Sequence, residues 1–307
     1  MTTGLEHSPG SDISGFKGTR HLRSGNPERG AETAQPVKIQ ESNLAKMSRI
    51  YPCIRGDRGS FSEGTHPVIE EAAVTVNVNG RHAMTAMTSP VNLDEFVTGI
   101  LYTEKIIKTA DEIESIRVEK NIVSVITKNP FSVIGQKKVI LSGCGGDSSF
   151  TDVKHLPKIT SDLVLSYSGI IEGVKKVLES ELHRITGGIH TVGLVNRDGS
   201  VSTAEDIGRH NALDRVIGRS IRQGVDLSGT FAVLSGRISS EMIRKCLIAN
   251  IPVIVSRGAT TSLSLDVAEQ TGLTVIGFVR AGKMIIYTHP DRITGAPEIQ
   301  SVNTPVK

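Results

Sequence analysis

The chain has 307 residues and a mass of 32.9 kDa, enough for one large or two ordinary domains that each bury a core. An apolar fraction of 38% and a charged fraction of 22% exclude a disordered chain. The formal net charge of +3 is too small to demand a polyanionic partner, so any anion site must be local.

The cysteines Cys53, Cys144 and Cys246 are few, far apart and odd in number, which argues against a disulfide framework and for a reducing compartment. No C-x-x-C pair is present, so a zinc site built from thiolate pairs is not expected. The N-terminus lacks the apolar core of a signal peptide, and no apolar run approaches the ~20 residues that span a bilayer. The expectation is a cytoplasmic protein with no membrane or nucleic-acid partner and no metal ligands of its own.

In chain order, residues 1–45 are rich in Gly, Ser, Thr, Pro and charge without a hydrophobic period, and read as a mobile tail. Regular structure is expected from about Pro67, within a small α+β domain over 46–141. Val74, Val76 and Val78 alternate with Thr75 and Asn77, and Asn79-Gly80 then turns the chain into a second strand through Met84 and Ala86, a strong hairpin signal. Asn92 and Glu95 have capping-box spacing ahead of a helix carrying Phe96, Val97, Ile100 and Leu101 on one face. Further strands are expected at Ile113–Val118 and Ile122–Ile126. From Phe131 to Asp162 the pattern dissolves, and 142–162 reads as a flexible cysteine loop and linker.

The domain over 163–307 has a different rhythm. Helices are expected at Ile170–Glu181, Ala212–Ile221, Glu241–Ala249 and Ser262–Glu269. Strands are expected at His190–Val195, Val201–Thr203, Phe231–Leu234, Pro252–Val255, Leu273–Val279 and Met284–Tyr287. The alternation points to an α/β fold with a mostly parallel sheet covered by helices.

Polar motifs in this half fall where strands end and helices begin, the place where open α/β sheets bind ligands. They are Glu205-Asp206-Ile207-Gly208-Arg209-His210-Asn211, Ser235-Gly236-Arg237-Ile238-Ser239-Ser240-Glu241 and Arg257-Gly258-Ala259-Thr260-Thr261-Ser262, followed by the cationic turn Phe278-Val279-Arg280-Ala281-Gly282-Lys283. Taken singly, each junction reads first as a turn and a helix cap. Taken together, with Arg209, Arg237, Arg257, Arg280 and Lys283, they point to a phosphate-bearing ligand held by helix N-termini and charge-assisted bonds. No segment fits a Walker loop or G-x-G-x-x-G. The Glu205–Asn211 cluster reads either as a hydrogen-bonded site wall, with His210 in acid–base work, or as a solvated helix start. His190, in an apolar strand, reads as a structural histidine. Cys246 fits the usual buried thiol and Cys53 lies near the tail, whereas Cys144, in Gly-Cys-Gly-Gly, is poorly placed for core packing.

E-D-I-G-R-H-N-A-L-D (Glu205 to Asp214), S-G-R-I-S-S-E-M (Ser235 to Met242), G-F-V-R (Gly277 to Arg280), V-N-G (Val78 to Gly80) and T-S-P-V-N-L-D-E-F-V-T-G-I-L (Thr88 to Leu101) resemble the formate dehydrogenase accessory sulfurtransferases of the FdhD/NarQ type, over roughly Val68 to His289. The resemblance implies a carrier that accepts persulfide sulfur from a cysteine desulfurase. It would pass the sulfur to the molybdenum (or tungsten) bis(molybdopterin guanine dinucleotide) cofactor destined for the formate dehydrogenase catalytic subunit. It also implies a cytidine deaminase-like C-terminal domain with a mixed sheet, and a homodimer. Carried over by motif, Cys144 is the persulfide residue and Phe278–Lys283 the cofactor-binding turn, with Glu205, Asp206, Arg209, His210, Asn211 and Arg237 as further cofactor contacts. Many members carry C-G-x-C in the loop; here Asp147 takes the second position, which leaves a single-cysteine mechanism. A zinc deaminase is excluded, because His190-Thr191-Val192 and His210-Asn211-Ala212 lack the H-x-E glutamate and no C-x-x-C exists. A non-catalytic chaperone for the same cofactor is the remaining alternative.

Overall fold

A computed structural model of the protein describes residues 46–129 and 155–299. The tail expected over 1–45, and the cysteine loop with Cys144 and Asp147, lie outside the described residues.

Chain order begins with a feature the hydrophobic pattern does not signal: a two-stranded hairpin of β1 (Ser48–Asp57) and β2 (Ser60–Ile69), paired along its whole length. Most of its side chains are exposed on both faces, so no period-2 signal exists to find. Its root is anchored in a small apolar cluster where Ile69 and Val91 pack on Met47, Leu182 and Ile189.

The next hairpin is the expected one. In β3 (Ala72–Val78) Val74, Val76 and Val78 are buried, and β4 (Arg81–Thr88) returns through Asn79 and Gly80, both at positive φ as a tight hairpin turn requires. With β5 (Ile113–Glu119) and β6 (Ile122–Thr127) it forms a four-stranded sheet of order β4-β3-β6-β5. Helix α1 (Leu93–Thr103) lays Phe96, Val97, Ile100 and Leu101 into the same apolar core as the valines of β3. The expected capping box does not form: Asn92 adopts a left-handed conformation, φ 44°, and its side chain makes no cap bond. Glu95 instead accepts from Arg219 at 2.9 and 2.8 Å, a tertiary contact that outweighs the local one.

The second sheet has six strands in the order β12-β11-β10-β9-β7-β8. They are β7 (His190–Asn196), β8 (Val201–Asp206), β9 (Thr230–Leu234), β10 (Val253–Ser256), β11 (Thr274–Arg280) and β12 (Lys283–Ile286). Only the β9–β10 and β10–β11 pairings are parallel; the other three are antiparallel. The sheet is therefore mixed rather than mostly parallel, because β7–β8 and β11–β12 are hairpins that need no crossover helix. The single helix expected over Ile170–Glu181 is two, α2 (Tyr167–Leu178) and α3 (Glu181–Thr186), the second capped by Ser180, whose hydroxyl accepts from the His183 N–H and donates to Glu205. Helices α4 (Arg209–Arg222), α5 (Ser240–Ile248) and α6 (Ser262–Thr271) complete the described set.

Alternation along β9 divides the core. Phe231 and Val233 face α2 with Ile170, Val174 and Val177, while Ala232 and Leu234 face α4, α5 and α6 with Leu213, Val216, Met242, Ile243 and Val267. Helices thus cover both faces, which is why β9 reads as an unbroken apolar run.

Helices α1 and α4 join the two sheets by glycine contact. A Cβ on Gly99 would lie 1.8 Å from the Asp214 carbonyl oxygen, and one on Gly218 would lie 2.0 Å from that of Glu95. Two buried cations lock the junction. Arg215, 2% exposed, donates from Nε to Asp206 at 2.8 Å, and from its terminal nitrogens to the carbonyls of Val91, Asn92 and Ser89 and to Thr88 Oγ1. All of its N–H donors are matched, and its guanidinium sits 5.4 Å from the Phe96 ring centroid. Lys245 Nζ, equally buried, donates to both Asp214 oxygens at 2.9 and 2.8 Å and to Thr103 Oγ1 at 3.1 Å.

Candidate anion site at the carboxyl edge of the large sheet

The pairing register brings the singled-out motifs to one edge. Opposite pairs His190–Asp206, Val192–Leu234, Leu234–Ser256 and Val255–Ile276 align the start of β7 with the ends of β8, β9, β10 and β11. That edge carries Glu205 to Asn211, Ser235 to Glu241, Arg257 to Ser262 and the Phe278–Lys283 turn.

Glycine and serine pack the edge closely. Ser256 Oγ donates to the Gly236 carbonyl at 2.5 Å and accepts from the Gly258 N–H at 2.8 Å. A Cβ on Gly236 would lie 3.0 Å from the His190 ring and 3.3 Å from Arg209 Cδ, so this glycine lets β9 end against both side chains. In the turn, Phe278 (φ 52°), Ala281 (φ 48°) and Gly282 (φ 72°) are left-handed and the β11–β12 register shifts between Gly277 and Arg280. Two non-glycine residues in this region store backbone strain, a feature concentrated at functional sites. The turn is braced from outside by Tyr167, whose hydroxyl donates to the Gly282 carbonyl, and by the Phe278 N–H bonded to the Gly258 carbonyl at 3.1 Å.

The charges of the edge differ from those elsewhere. Arg197, Arg215, Arg219, Arg222 and Arg244 each hold a carboxylate. None of Arg209, Arg237, Arg257, Arg280 and Lys283 forms an ion pair with a carboxylate among the described residues. Arg280 donates through Nε to the Arg257 carbonyl at 2.9 Å, which leaves its terminal nitrogens for another partner. The Nε of Arg209 is buried without any hydrogen-bond partner in the protein. The helix starts also differ. The α6 start is closed by a capping box between Thr261 and Ser264, so that junction is a cap, whereas α4 and α5 begin without a side-chain cap bond. Their first N–H groups remain donors toward the edge.

The Glu205–Asn211 cluster divides in two. Asp206 is fully buried, and its oxygens accept from Thr88, the Ser89 and Gly208 N–H groups, Asn211 and Arg215; Asn211 also donates to the Met87 carbonyl. These two residues hold the fold together from inside. Glu205 accepts from Ser180 and Thr191, and Arg209 and His210 line the edge. His210 Nε2 lies 3.2 Å from Ser239 Oγ and 3.4 Å from Glu241. Burial first, then the charges of Arg209 and Lys245, push its pKa down to about 3, so the imidazole is neutral near pH 7 and serves as a hydrogen-bond partner rather than a charged acid. Burial and Arg209 likewise lower the pKa of His190, whose Nδ1 lies 3.3 Å from Ser235 Oγ. Cys246 is fully buried with its thiol pushed up to about 12, an inert core residue as its sequence position suggested.

Sequence reasoning missed Tyr167, Arg215 and Lys245. Arg215 and Lys245 sit among helical charges with the spacing of a solvated face, and nothing in that spacing separates a buried cation from an exposed one. Among the described residues no group of three or more His, Cys, Asp or Glu side chains is placed to hold a metal ion, and no helix is long and apolar enough to cross a membrane.

Comparison with known proteins bears on this site. The model of the FdhD/NarQ family matches residues 69–294. A sulfur carrier protein FdhD from Wolinella succinogenes is 34% identical over 246 residues, spanning 78% of this chain and 86% of its own. Its counterpart from Bacillus pumilus is 36% identical over 245 residues, spanning 77% and 94%. A crystal structure described as that of a formate dehydrogenase accessory protein from Desulfotalea psychrophila matches with a TM-score of 0.68 at 28% identity, covering 80% of this chain and 99% of that one.

Proposed function

The chain belongs to the FdhD/NarQ family, and on that footing we propose that it is a sulfurtransferase that carries sulfur to the cofactor of formate dehydrogenase as a persulfide on Cys144. The observation that carries the reading is the set of five edge cations without a carboxylate partner among the described residues, together with the buried, unpartnered Nε of Arg209. A bis(molybdopterin guanine dinucleotide) substrate brings two diphosphates, and the uncapped starts of α4 and α5 add N–H donors for them.

In the first step the Cys144 thiolate attacks the terminal sulfur of a cysteine desulfurase persulfide. A new S–S bond forms, the old one breaks, and the desulfurase cysteine leaves as a thiolate. Delivery of the terminal sulfur as a sulfide ligand of the molybdenum (or tungsten) takes two electrons, for which a dithiol reductant suffices, and restores the Cys144 thiolate. Arg280 and Lys283 hold the phosphates through this step, and neutral His190 and His210 offer hydrogen bonds without adding charge. Family resemblance supports a cytidine deaminase-like large unit beside a smaller N-terminal α+β unit, a homodimer, and residence in the cytoplasm. Asp147 in place of a second loop cysteine favours one further reading, a cofactor chaperone that binds without covalent chemistry.

Incubation with a desulfurase and ³⁵S-cysteine, followed by mapping of the label, tests the carrier. Label is expected on Cys144 and absent from Cys144→Ala. Equal labelling of the variant overturns the carrier assignment, and no labelling of the native chain leaves the chaperone.

A further inference from the structure

The Phe278–Lys283 turn holds its shape against its own sequence. Arg280 and Lys283 are directly opposed where β11 meets β12, so Ala281 and Gly282 alone reverse the chain, both at positive φ. This is the two-residue geometry that Asn-Gly favours, because both central residues must be left-handed. At Ala281, φ 48°, that conformation crowds the side chain against the following carbonyl oxygen. The closing pair adds a second strain, since two cations directly opposite each other repel. An empty turn of this sequence therefore needs outside support.

Three hydrogen bonds supply it. The Phe278 N–H donates to the Gly258 carbonyl at 3.1 Å and Arg280 Nε to the Arg257 carbonyl at 2.9 Å, both toward the loop after β10. The third, from the Tyr167 hydroxyl to the Gly282 carbonyl, is the one of these that reaches the tip, and it fixes the peptide joining Gly282 to Lys283. The tyrosine is itself tied down. Ser166 caps α2 by accepting from the Gly169 N–H at 3.0 Å. The Leu165 N–H donates to the Arg292 carbonyl at 2.8 Å, and its carbonyl accepts from the Thr294 N–H at 2.9 Å. Tyr167 is 47% exposed and belongs to none of the apolar clusters, so its hydroxyl rather than its ring explains its place. The cavity beside the turn is lined by Val279 to Gly282 but not by Tyr167, which acts on the turn from behind.

We propose that Tyr167 is a positioning residue, a latch that keeps the empty turn in the form that presents Arg280 and Lys283 together to an anion. A bound anion screens the two cations from each other and holds the turn itself, so the latch acts mainly before binding. The inference rests on the reading of a guanine dinucleotide substrate at this edge and adds the group that prepares the turn for it.

Two measurements on the full chain test it: hydrogen exchange over residues 278–286 and calorimetric titration with GDP. Without ligand, Tyr167→Phe should speed exchange across the turn about threefold to tenfold, the value of one hydrogen bond. GDP binding should weaken by a similar factor, because less of the empty protein holds the competent turn. With GDP at saturation the difference in exchange should shrink. Ala281→Asn supplies the Asn-Gly pair that favours the turn unaided, so the double variant should regain both slow exchange and affinity. Exchange unchanged by Tyr167→Phe overturns the latch. Faster exchange with undiminished GDP affinity overturns its positioning role, and so does a weakened affinity that Ala281→Asn fails to restore. Failure of GDP to bind the native chain overturns the dinucleotide reading instead, and exchange then decides the latch by itself.

Discussion

Replacing Gly218 by alanine sets two effects against each other, and the structure decides the sign. In an exposed helix interior Gly→Ala gains about 1 kcal/mol, because alanine loses less backbone entropy on folding. Here the added Cβ would lie 2.0 Å from the Glu95 carbonyl oxygen and 2.6 Å from the Gly99 nitrogen, both backbone atoms of α1 that cannot rotate away. Ordinary contact starts near 3.4 Å, so α1 and α4 must separate by roughly 1.4 Å. Overpacking of this kind costs about 1–3 kcal/mol. Separation also strains the bonds that cross the junction, from Arg215 to the carbonyls of Val91 and Asn92, from Lys245 to the Thr103 hydroxyl and from that hydroxyl to Asp214. The expected net loss is on the order of 3 kcal/mol, a large part of the ~5–15 kcal/mol that stabilises an ordinary domain. Urea unfolding followed by far-ultraviolet circular dichroism measures it as a lower midpoint. A midpoint equal to or above that of the native chain would refute the close-approach argument, since helix propensity alone would then govern the site.

Arg215→Met should lower stability by about 3–5 kcal/mol, because Asp206 would keep its charge in the interior without its cation; a change below about 1 kcal/mol in the same unfolding assay would show that Asp206 is paired otherwise. His210 gives a pH signature. Its folded pKa of about 3 lies below the 6.5 ordinary for an imidazole, so the unfolded chain takes up a proton that the folded chain refuses. Its contribution is therefore complete above pH 6.5 and is lost as pH falls toward 3, by up to about 1.4 kcal/mol per pH unit. His210→Gln should flatten the stability profile between pH 6.5 and 4, and a profile parallel to that of the native chain would contradict the buried neutral imidazole.

The parts of the fold legible in the sequence are those where burial writes a period. Val74, Val76 and Val78 alternate because one sheet face is buried, and Asn79-Gly80 is written by the left-handed turn itself. The β1–β2 hairpin is illegible for the converse reason: exposed on both faces, it imposes no pattern. Asn92 and Glu95 have the right spacing for a cap, but Arg219, distant in sequence, claims the glutamate. The edge motifs were found because strand ends concentrate glycine and cations. Their division into Asp206 and Asn211 inside, and Arg209 and His210 at the edge, follows from packing against Thr88 and Met87, which only the three-dimensional contacts disclose.

The hairpin of β1 and β2 has its own consequence for how the molecule opens. Only its root is tied to apolar neighbours, through Ile69, while Ile54 and Phe61 near its tip are 65% and 79% exposed. A two-stranded ribbon is marginal in water on its own. Its amides should therefore exchange with solvent far sooner than those of β9 and β10, and it forms a unit that melts below the global transition. A protease that nicks the Arg58-Gly59 tip would meet little resistance, and the six-stranded sheet and its glycine-packed helices would stay folded after the cut.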